Sequence, residues 1–234
     1  MIEARGLTKL YGLQPALRGV SLHVGAGEIL AVLGHNGSGK TTLVRLLATL
    51  ARPSAGTARV GGHDVVAARD AVRRVIAVVG HSTQLYDDLT AAENLAFAEA
   101  LAGRRGARDR IESALARVGL DGHAGTRVRE LSSGMRRRLA PARAILREPR
   151  VLLLDEAFSG LDHDSAKRLE DHLDGFRAGG GAALVVTHSL GRALAVADRV
   201  AILAAGRLAG EATRGELSEA ALRQLYAEAT ESGA

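Results

Sequence analysis

The chain has 234 residues, a length at which one globular domain, or one domain with a small subdomain, is expected. Hydrophobic residues make up 47%, and the absence of Cys excludes disulfides and cysteine-based metal sites or catalysis. The formal charge is +5, but aromatic residues make up only 3%, too few to favour binding of single-stranded nucleic acid.

Four short apolar runs, each bounded by turn residues, have the character of buried parallel strands. They are, in chain order, EILAVLG (28–34), RVIAVVG (74–80), RVLLLDE (150–156) and AALVVTH (182–188). Stretches of helical periodicity lie between them, at 41–49, 132–146 and 165–176. Strands that alternate with helices predict an α/β domain with a mostly parallel core sheet.

Other segments of the chain depart from this alternation. The opening runs IEARGLTKLYG and ALRGVSLHVGAGE alternate like antiparallel strands, and RVAILAAGRLAGE near the end does the same. From Leu89 to Val118 the pattern is helical throughout. We therefore predict an N-terminal antiparallel β subdomain and an inserted α-helical subdomain. The predicted ranges are a core at about 1–88 and 149–213, a helical subdomain at about 89–148 and a C-terminal helix at about 214–230.

A phosphate-binding loop is predicted at GHNGSGKTT, which matches G-x-x-x-x-G-K-[ST] between a predicted strand and a predicted helix. Backbone N–H groups of such a loop surround phosphates, Lys40 reaches the β- and γ-phosphates, and the Thr41 hydroxyl can bind Mg²⁺. The residues expected to contact nucleotide are Gly34, His35, Asn36, Gly37, Ser38, Gly39, Lys40, Thr41 and Thr42. A chance match in a Gly-rich turn is disfavoured by the strand and helix on either side.

Two further strand ends carry candidate catalytic groups. Asp155 ends an apolar strand and is placed to hold Mg²⁺, and Glu156 follows it as a candidate base for an attacking water. His188 ends another strand at the same expected edge of the sheet, where it could contact the γ-phosphate. The predicted catalytic set is thus Lys40, Glu156 and His188. The alternatives are solvated carboxylates at a strand end and a structural histidine.

The segment LSSGMRRRLA (131–140) predicts a helix N-terminus, with Ser132 as its cap and Gly134 allowing close approach of the backbone. Free N–H groups and a partial positive charge make such a terminus a second anion site. In isolation, an ordinary capped helix with Arg136–Arg138 on a solvated face would explain the segment equally well.

The phosphate loop, LSSGM, LLLDE, SGLD (Ser159–Asp162) and the final Thr-His pair resemble, in order and spacing, the ATPase domains of ABC transporters. The resemblance spans nearly the whole chain and implies a P-loop NTPase fold with ATP and Mg²⁺ as cofactors. It also implies a head-to-tail dimer in which Ser132 and Gly134 contact the γ-phosphate bound by the partner. Asp162 would help to couple the two sites, and Tyr11 occupies the position of an aromatic ring that stacks on adenine.

Several positions differ from the family pattern. Ser133 and Met135 replace a Gly and a Gln of the usual Leu-Ser-Gly-Gly-Gln. We expect the helix start to tolerate both changes, because the N–H groups and Ser132 remain, although the dimer would be weaker. The family has a Gln after the strand at 74–80 that contacts Mg²⁺. Here the ungapped position is His81, and Gln84 follows three residues later. Because Mg²⁺ prefers oxygen ligands, we predict Gln84 as the third metal ligand, beside Thr41 and Asp155, and keep His81 as the alternative.

The Gly-His pair at 80–81, LYDDLTAAENL and a signature ending in Gly-Met resemble the ATPase of the haem exporter of cytochrome c maturation, although Ser82 stands where that subfamily has Gln. The resemblance implies an ATP-hydrolysing motor subunit that is cytoplasmic and peripheral on the inner face of the membrane. Its expected partners are a second ATPase subunit and an integral membrane permease, without nucleic acid. Haem or a maturation intermediate is the expected cargo, with a drug, lipid or polysaccharide as the alternative. A soluble ABC ATPase, a nucleotide kinase and a non-hydrolysing domain are less favoured.

Overall fold

A computed structural model describes residues 1–80, 83–104, 108–216 and 218–231. The strands, in chain order, are β1 (Ile2–Tyr11), β2 (Gln14–Val24), β3 (Ile29–Leu33), β4 (Ala55–Val60), β5 (His63–Asp64), β6 (Ile76–Val79), β7 (Val151–Asp155), β8 (Ala182–Thr187), β9 (Arg199–Ala204) and β10 (Arg207–Thr213). The helices are α1 (Lys40–Leu47), α2 (Arg69–Val75), α3 (Ala91–Leu101), α4 (Arg108–Arg117), α5 (Ser133–Leu146), α6 (His163–Ala178), α7 (Leu190–Val196) and α8 (Glu219–Glu231), with a 3₁₀ helix at Val128–Glu130.

A six-stranded sheet with the order β10-β9-β3-β8-β7-β6 forms the core. Its strands pair in parallel except β10, which pairs antiparallel with β9. Every residue of β3, β7 and β8 is buried, because apolar clusters cover both faces of the sheet. The four strands predicted from apolar runs are confirmed. Since parallel strands end at one edge, the carboxyl ends of β3, β7 and β8 meet there.

A second sheet, of order β2-β1-β4-β5, is antiparallel and confirms the predicted N-terminal β subdomain. Strands β4 and β5 were not predicted. The reason is that β4 has the sequence AGTARV, in which only Ala58 and Val60 are buried, so its apolar pattern is too short to be recognised. Pairing with β1 extends this segment despite its weak strand propensity.

Helices α3, α4 and α5 pack around an apolar cluster of their own, which includes Leu95, Leu115 and Leu139. Thr90 begins α3 with a capping box, because its hydroxyl accepts from the Glu93 backbone N–H while the Glu93 carboxylate accepts from the Thr90 N–H. The inserted helical subdomain is therefore present, and its boundaries at about 89–148 stay a prediction.

The C-terminal helix α8 begins later than the sequence indicated, at Glu219 instead of about residue 214. Thr213 and Glu216 form a turn first, in which the Glu216 carboxylate accepts from both the backbone N–H and the hydroxyl of Thr213. Across the ranges described above, the structure contains no helix that combines the length and the apolar character needed to cross a bilayer.

Candidate functional site

The predicted phosphate loop connects β3 to α1 at the carboxyl edge of the core sheet. Gly39 caps α1 with φ 107°, a left-handed conformation that favours glycine. A Cβ at this position would lie 2.4 Å from the backbone oxygen of Ala16. The close passage of β2 under the loop therefore requires Gly39 and fixes the loop against the sheet.

Lys40 is the buried cation of the loop, with 6% of its surface exposed. Its Nζ donates to the carbonyl oxygens of Gly34 at 2.7 Å and His35 at 2.8 Å, which closes the loop around the ammonium group. Burial lowers the pKa of Lys40, and the negative charges of Glu156 and Asp155 oppose that shift. The ammonium group and the two carboxylates are thus electrostatically coupled.

A cavity of about 210 Å³ lies over the phosphate loop and gathers most of the predicted site. Its lining residues are Ala16, Asn36, Gly37, Gly39, Lys40, Thr41, Thr42, Asp155 and Glu156. The structure thus brings the loop together with Asp155 and Glu156, the two predicted carboxylates of the segment RVLLLDE, which is more than 100 residues away in the sequence. Ala16 belongs to β2, which the sequence predicted as a strand, but its position beside the phosphate loop was not predicted.

Ser38 is a residue of the phosphate loop and is fully buried. Its Oγ has no hydrogen-bond partner within the described residues. A buried hydroxyl of this kind is uncommon, because an unmade hydrogen bond costs about 1–3 kcal/mol. Ser38 does not line the cavity over the loop, so this hydroxyl is not itself placed to contact a ligand there.

The two carboxylates occupy distinct environments at the end of β7. Asp155 is the last residue of the strand and is 7% exposed. Glu156 has φ 56°, a left-handed conformation that is uncommon for a residue with a side chain. Its backbone N–H donates to Val186 of β8, which holds the turn in place. Strain of this kind is typical of positions whose side-chain direction matters for function.

His188 contacts Glu156 directly. Its Nδ1 lies 3.0 Å from both Oε1 and Oε2 of the carboxylate. The Ser159 hydroxyl donates to Glu156 Oε2 at 3.3 Å. The sequence predicted that Glu156 and His188 share an edge of the sheet, but not that Ser159 contacts the carboxylate.

Gln84 does not line the phosphate cavity. Its carbonyl oxygen accepts from Arg143 Nη1 at 2.9 Å, and its Oε1 accepts from Arg143 Nη2 at 3.4 Å. Burial lowers the pKa of Arg143, with the charge of Arg147 adding to the shift. Gln84 as a metal ligand therefore stays a prediction, and the alternative, His81, lies outside the described residues.

The LSSGM segment begins α5 as predicted. Ser132 is the N-cap residue, and its hydroxyl accepts from the Met135 backbone N–H at 3.2 Å. Neither Ser132 nor Gly134 lines the cavity over the phosphate loop. Met135, which replaces the usual Gln, packs against the apolar cluster of the helical subdomain. The chain thus presents this helix N-terminus apart from its own phosphate loop.

Asp162, the last residue of the SGLD turn, is held at the start of a helix. Asp162 caps α6 by accepting from the Ser165 backbone N–H at 2.7 Å, and hydrogen bonds to Ser165 lower the pKa of this carboxyl group.

Tyr11 ends β1 and is 47% exposed, with Lys9 Nζ 5.0 Å from its ring centroid. An exposed ring at this hairpin is free to stack on a planar ligand, and its contact with adenine stays a prediction.

A larger cleft of about 960 Å³ lies along α6, away from the phosphate loop. Its lining residues include Arg117, Arg168, Asp171 and His172. The cleft is open and carries charges of both signs, and none of the predicted catalytic residues borders it. Size alone therefore does not identify the candidate site, whereas the convergence of cation, hydroxyl and carboxylates does.

The fold and this cavity define a P-loop nucleotide-binding domain, and comparisons with known proteins specify its family. The ABC transporter family model matches residues 17–159. The chain is 41% identical over 218 residues to the daunorubicin/doxorubicin resistance ATP-binding protein DrrA of Streptomyces peucetius, covering 92% of this chain and 66% of that protein. It is 42% identical over 220 residues to the methionine import ATP-binding protein MetN of Caulobacter vibrioides, covering 90% of this chain and 66% of that protein. It is also 41% identical over 190 residues to the cytochrome c biogenesis ATP-binding export protein CcmA of Cupriavidus necator, covering 81% of this chain and 84% of that protein.

Solved structures agree with this assignment. An ATP-binding subunit of an ABC transporter superposes with a TM-score of 0.89 at 28% identity, covering 98% of this chain and 99% of that one. A dimeric ATP-binding cassette in a post-hydrolysis state, bound to ADP and Pi, superposes with a TM-score of 0.84 at 26% identity, covering 92% and 99%. The chain therefore belongs to the ABC transporter family as an ATP-binding subunit, and in this family ATP hydrolysis is coupled to transport. It spans about two thirds of the length of DrrA and MetN.

Proposed function

We propose that this chain is the ATP-hydrolysing motor subunit of a membrane transporter. The supporting observation is that Lys40, Thr41, Asp155 and Glu156 line one cavity at the carboxyl edge of the core sheet. A buried ammonium group beside a loop of backbone N–H groups suits the polyphosphate of a nucleotide. A carboxylate at the rim of the same cavity suits activation of a water.

Within this proposal Glu156 is the general base, Lys40 binds the β- and γ-phosphates, and His188 contacts the γ-phosphate. His188 Nδ1 is engaged by Glu156, while its Nε2 has no hydrogen bond within the described part of the chain. One ring nitrogen therefore orients the base, and the other is left for the phosphate. The Glu156→Gln variant tests the base, and turnover at the wild-type rate would contradict it.

The donor atoms near the phosphate loop also fit Mg²⁺. The Thr41 hydroxyl and the Asp155 carboxylate border the same cavity and are hard oxygen ligands of the kind that Mg²⁺ prefers. We propose that these two residues hold the ion. When bound, Mg²⁺ would neutralise negative charge on the phosphates.

We further propose that two copies bind ATP head to tail. The N-terminus of α5 presents Ser132 and Gly134 apart from the chain's own phosphate cavity, and the related ATP-binding cassette with ADP and Pi is dimeric. A helix N-terminus attracts an anion, so a partner's γ-phosphate is a suitable ligand. Each chain would then complete the site of the other.

Disulfide crosslinking tests this arrangement with little background, because the chain has no Cys. Asn36→Cys and Ser132→Cys are made on separate Glu156→Gln chains and then mixed. We expect a crosslink only in the mixture and only with ATP, since the two positions would approach within disulfide distance across the dimer. Each variant alone is the control. Crosslinking of the mixture without ATP, or none with it, would contradict the shared site.

For the cargo, we propose haem or a cytochrome c maturation intermediate, moved outward by a separate permease. Support comes from the likeness to CcmA, of which 84% is covered, together with the sequence LYDDLTAAENL. Export of a drug, lipid or polysaccharide is the second candidate, and a drug such as daunorubicin or doxorubicin is favoured among these, because DrrA is equally similar over a longer stretch of this chain. The chain would be peripheral on the cytoplasmic face of the membrane.

Capture from membranes distinguishes these cargoes. Glu156→Gln, held with ATP and Mg²⁺, is purified from detergent-solubilised membranes of its own organism, with Lys40→Met as a control that is not expected to hold ATP. A polytopic partner that carries haem absorbance would support the first cargo, and one that binds anthracyclines would support the second. Ribosomal or DNA-bound partners without a membrane protein would contradict the transport role.

A further inference from the structure

The LSSGM helix is connected to the SGLD turn (159–162) within the same chain. Arg137 lies on the second turn of α5, and its Nη1 donates to the backbone carbonyl of Ser159 at 3.0 Å. Gly160, the next residue, has φ 68°, and a Cβ there would lie 1.0 Å from the same Nη1 atom. The guanidinium group of Arg137 thus occupies the space that a side chain at position 160 would need.

Ser159 connects this contact to the proposed base. Its hydroxyl donates to Glu156 Oε2 at 3.3 Å, and its backbone N–H donates to the Glu156 carbonyl at 3.0 Å. Arg137, Ser159 and Glu156 also border one small cavity of about 30 Å³, together with residues at the end of β6. A displacement of Arg137 would therefore move the residue that holds one oxygen of the Glu156 carboxylate.

The neighbouring arginines do not share this contact. The Arg138 guanidinium donates to the carbonyl of Gly119 in the helical subdomain at 3.1 Å. The Arg136 side chain has no hydrogen bond or ion pair in the part of the chain that the structure describes. Arg138 acts on Asp162 of the SGLD turn through its charge, which helps to lower the pKa of that carboxyl group. Of this run of three, Arg137 alone donates a hydrogen bond to the turn among the described contacts.

We propose that Arg137 is a positioning residue for hydrolysis, which holds Ser159 so that the Glu156 carboxylate keeps its direction. This inference rests on the proposed function, because it assumes that Glu156 is the base. It gives the N-terminal part of α5 a second task besides meeting the partner's phosphate.

Steady-state hydrolysis by the full-length chain tests the proposal. We expect Arg137→Gln to lower kcat about tenfold with KM for ATP within about twofold of wild type, because a misdirected base weakens the chemical step and not nucleotide binding. Arg137→Lys keeps one donor and should recover part of the rate. Arg136→Gln is the matched control and should leave kcat unchanged. Wild-type kcat in Arg137→Gln, or an equal loss in Arg136→Gln, would overturn the proposal.

A double-mutant cycle separates positioning from general destabilisation. Ser159→Ala removes the hydroxyl that meets Glu156 but keeps the carbonyl that Arg137 contacts. If both residues act on the base through one path, the double variant should lose about as much kcat as either single variant. If the fold-losses in kcat of the two single variants multiplied in the double variant, the proposal would be contradicted. A fall in melting temperature large enough to account for the lost activity would also contradict it. An inactive Glu156→Gln beside an unchanged Arg137→Gln would contradict only this inference, whereas an active Glu156→Gln would contradict the proposed function itself.

Discussion

The imidazole Nδ1 of His188 lies 3.0 Å from both carboxylate oxygens of Glu156. The two residues follow neighbouring parallel strands, β8 and β7, so the sheet itself brings them together. Glu156 is mostly enclosed, with 17% of its side chain exposed, while His188 is 63% exposed. The histidine therefore covers the carboxylate from the solvent side and restricts its orientation.

Replacing His188 by Ala should lower kcat for ATP hydrolysis about 100-fold, because the carboxylate of Glu156 loses the group that holds it. Steady-state kinetics of the purified chain would measure this change. His123→Ala is the control, since His123 is exposed in the helical subdomain. Equal activities of the two variants would contradict the role of His188.

Lys40→Met should abolish the rise in melting temperature that MgATP produces. The ammonium group closes the phosphate loop through the carbonyls of Gly34 and His35, so its loss removes both the charge and the loop geometry. A ligand that binds only the folded state raises stability with the logarithm of one plus the ratio of its concentration to Kd, so a variant that does not bind MgATP gains nothing from it. Lys167→Met is the control, because Lys167 pairs with Asp171 on the surface of α6. An undiminished MgATP shift in Lys40→Met would show that nucleotide binds elsewhere.

Local chemistry made much of the site predictable. The phosphate loop, the Ser132 cap and the strand ending at Asp155 each depend on residues that are close in sequence, and the rules for parallel sheets then place their ends together. The β4 strand was not predictable, because its pairing with β1 and not its own composition makes it a strand.

Long-range side-chain contacts could not be predicted from the sequence, for another physical reason. Arg143 reaches Gln84 over 59 residues, and Arg137 reaches Ser159 over 22. An arginine side chain can adopt many rotamers, and three consecutive arginines give no pattern that selects one of them. The packing of α5 against the core, which only the folded chain defines, decides which carbonyl each guanidinium meets.

Arg110→Ala should destabilise the helical subdomain by about 3 kcal/mol, the low end for breaking a buried ion pair, because Arg110 itself is partly exposed. Arg110 lies 3.3 Å from the fully buried carboxylate of Glu99 and donates to the Leu146 carbonyl at the end of α5. Urea unfolding would measure the change. Arg108→Ala, which breaks an exposed pair with Glu112 on the same helix, should change stability little. Equal effects would contradict the importance of the buried carboxylate.

His172 should make the protein less stable as the pH falls. Burial, followed by the charge of Arg117, lowers the pKa of His172 below its ordinary value of 6.5. Between the lowered and the ordinary pKa the unfolded chain binds more protons than the folded one, so the free energy of unfolding rises with pH across that window. Urea unfolding at about pH 7.5 and 5.5 should show a smaller difference for His172→Gln than for wild type. His123→Gln is the control, and an unchanged difference in His172→Gln would contradict the prediction.

Gly160→Ala should lower both stability and kcat, whereas Gly122→Ala should lower stability alone. Both glycines have positive φ, 68° and 85°, so each substitution carries a backbone penalty of about 1–2 kcal/mol. Nothing lies within 4 Å of a Cβ at position 122, but at position 160 the new methyl group must displace Arg137 from the Ser159 carbonyl. Urea unfolding and steady-state hydrolysis on the same preparations would separate the two effects. If the variants matched in stability and also in kcat, the contact between Arg137 and the SGLD turn would have no part in setting the direction of the Glu156 carboxylate.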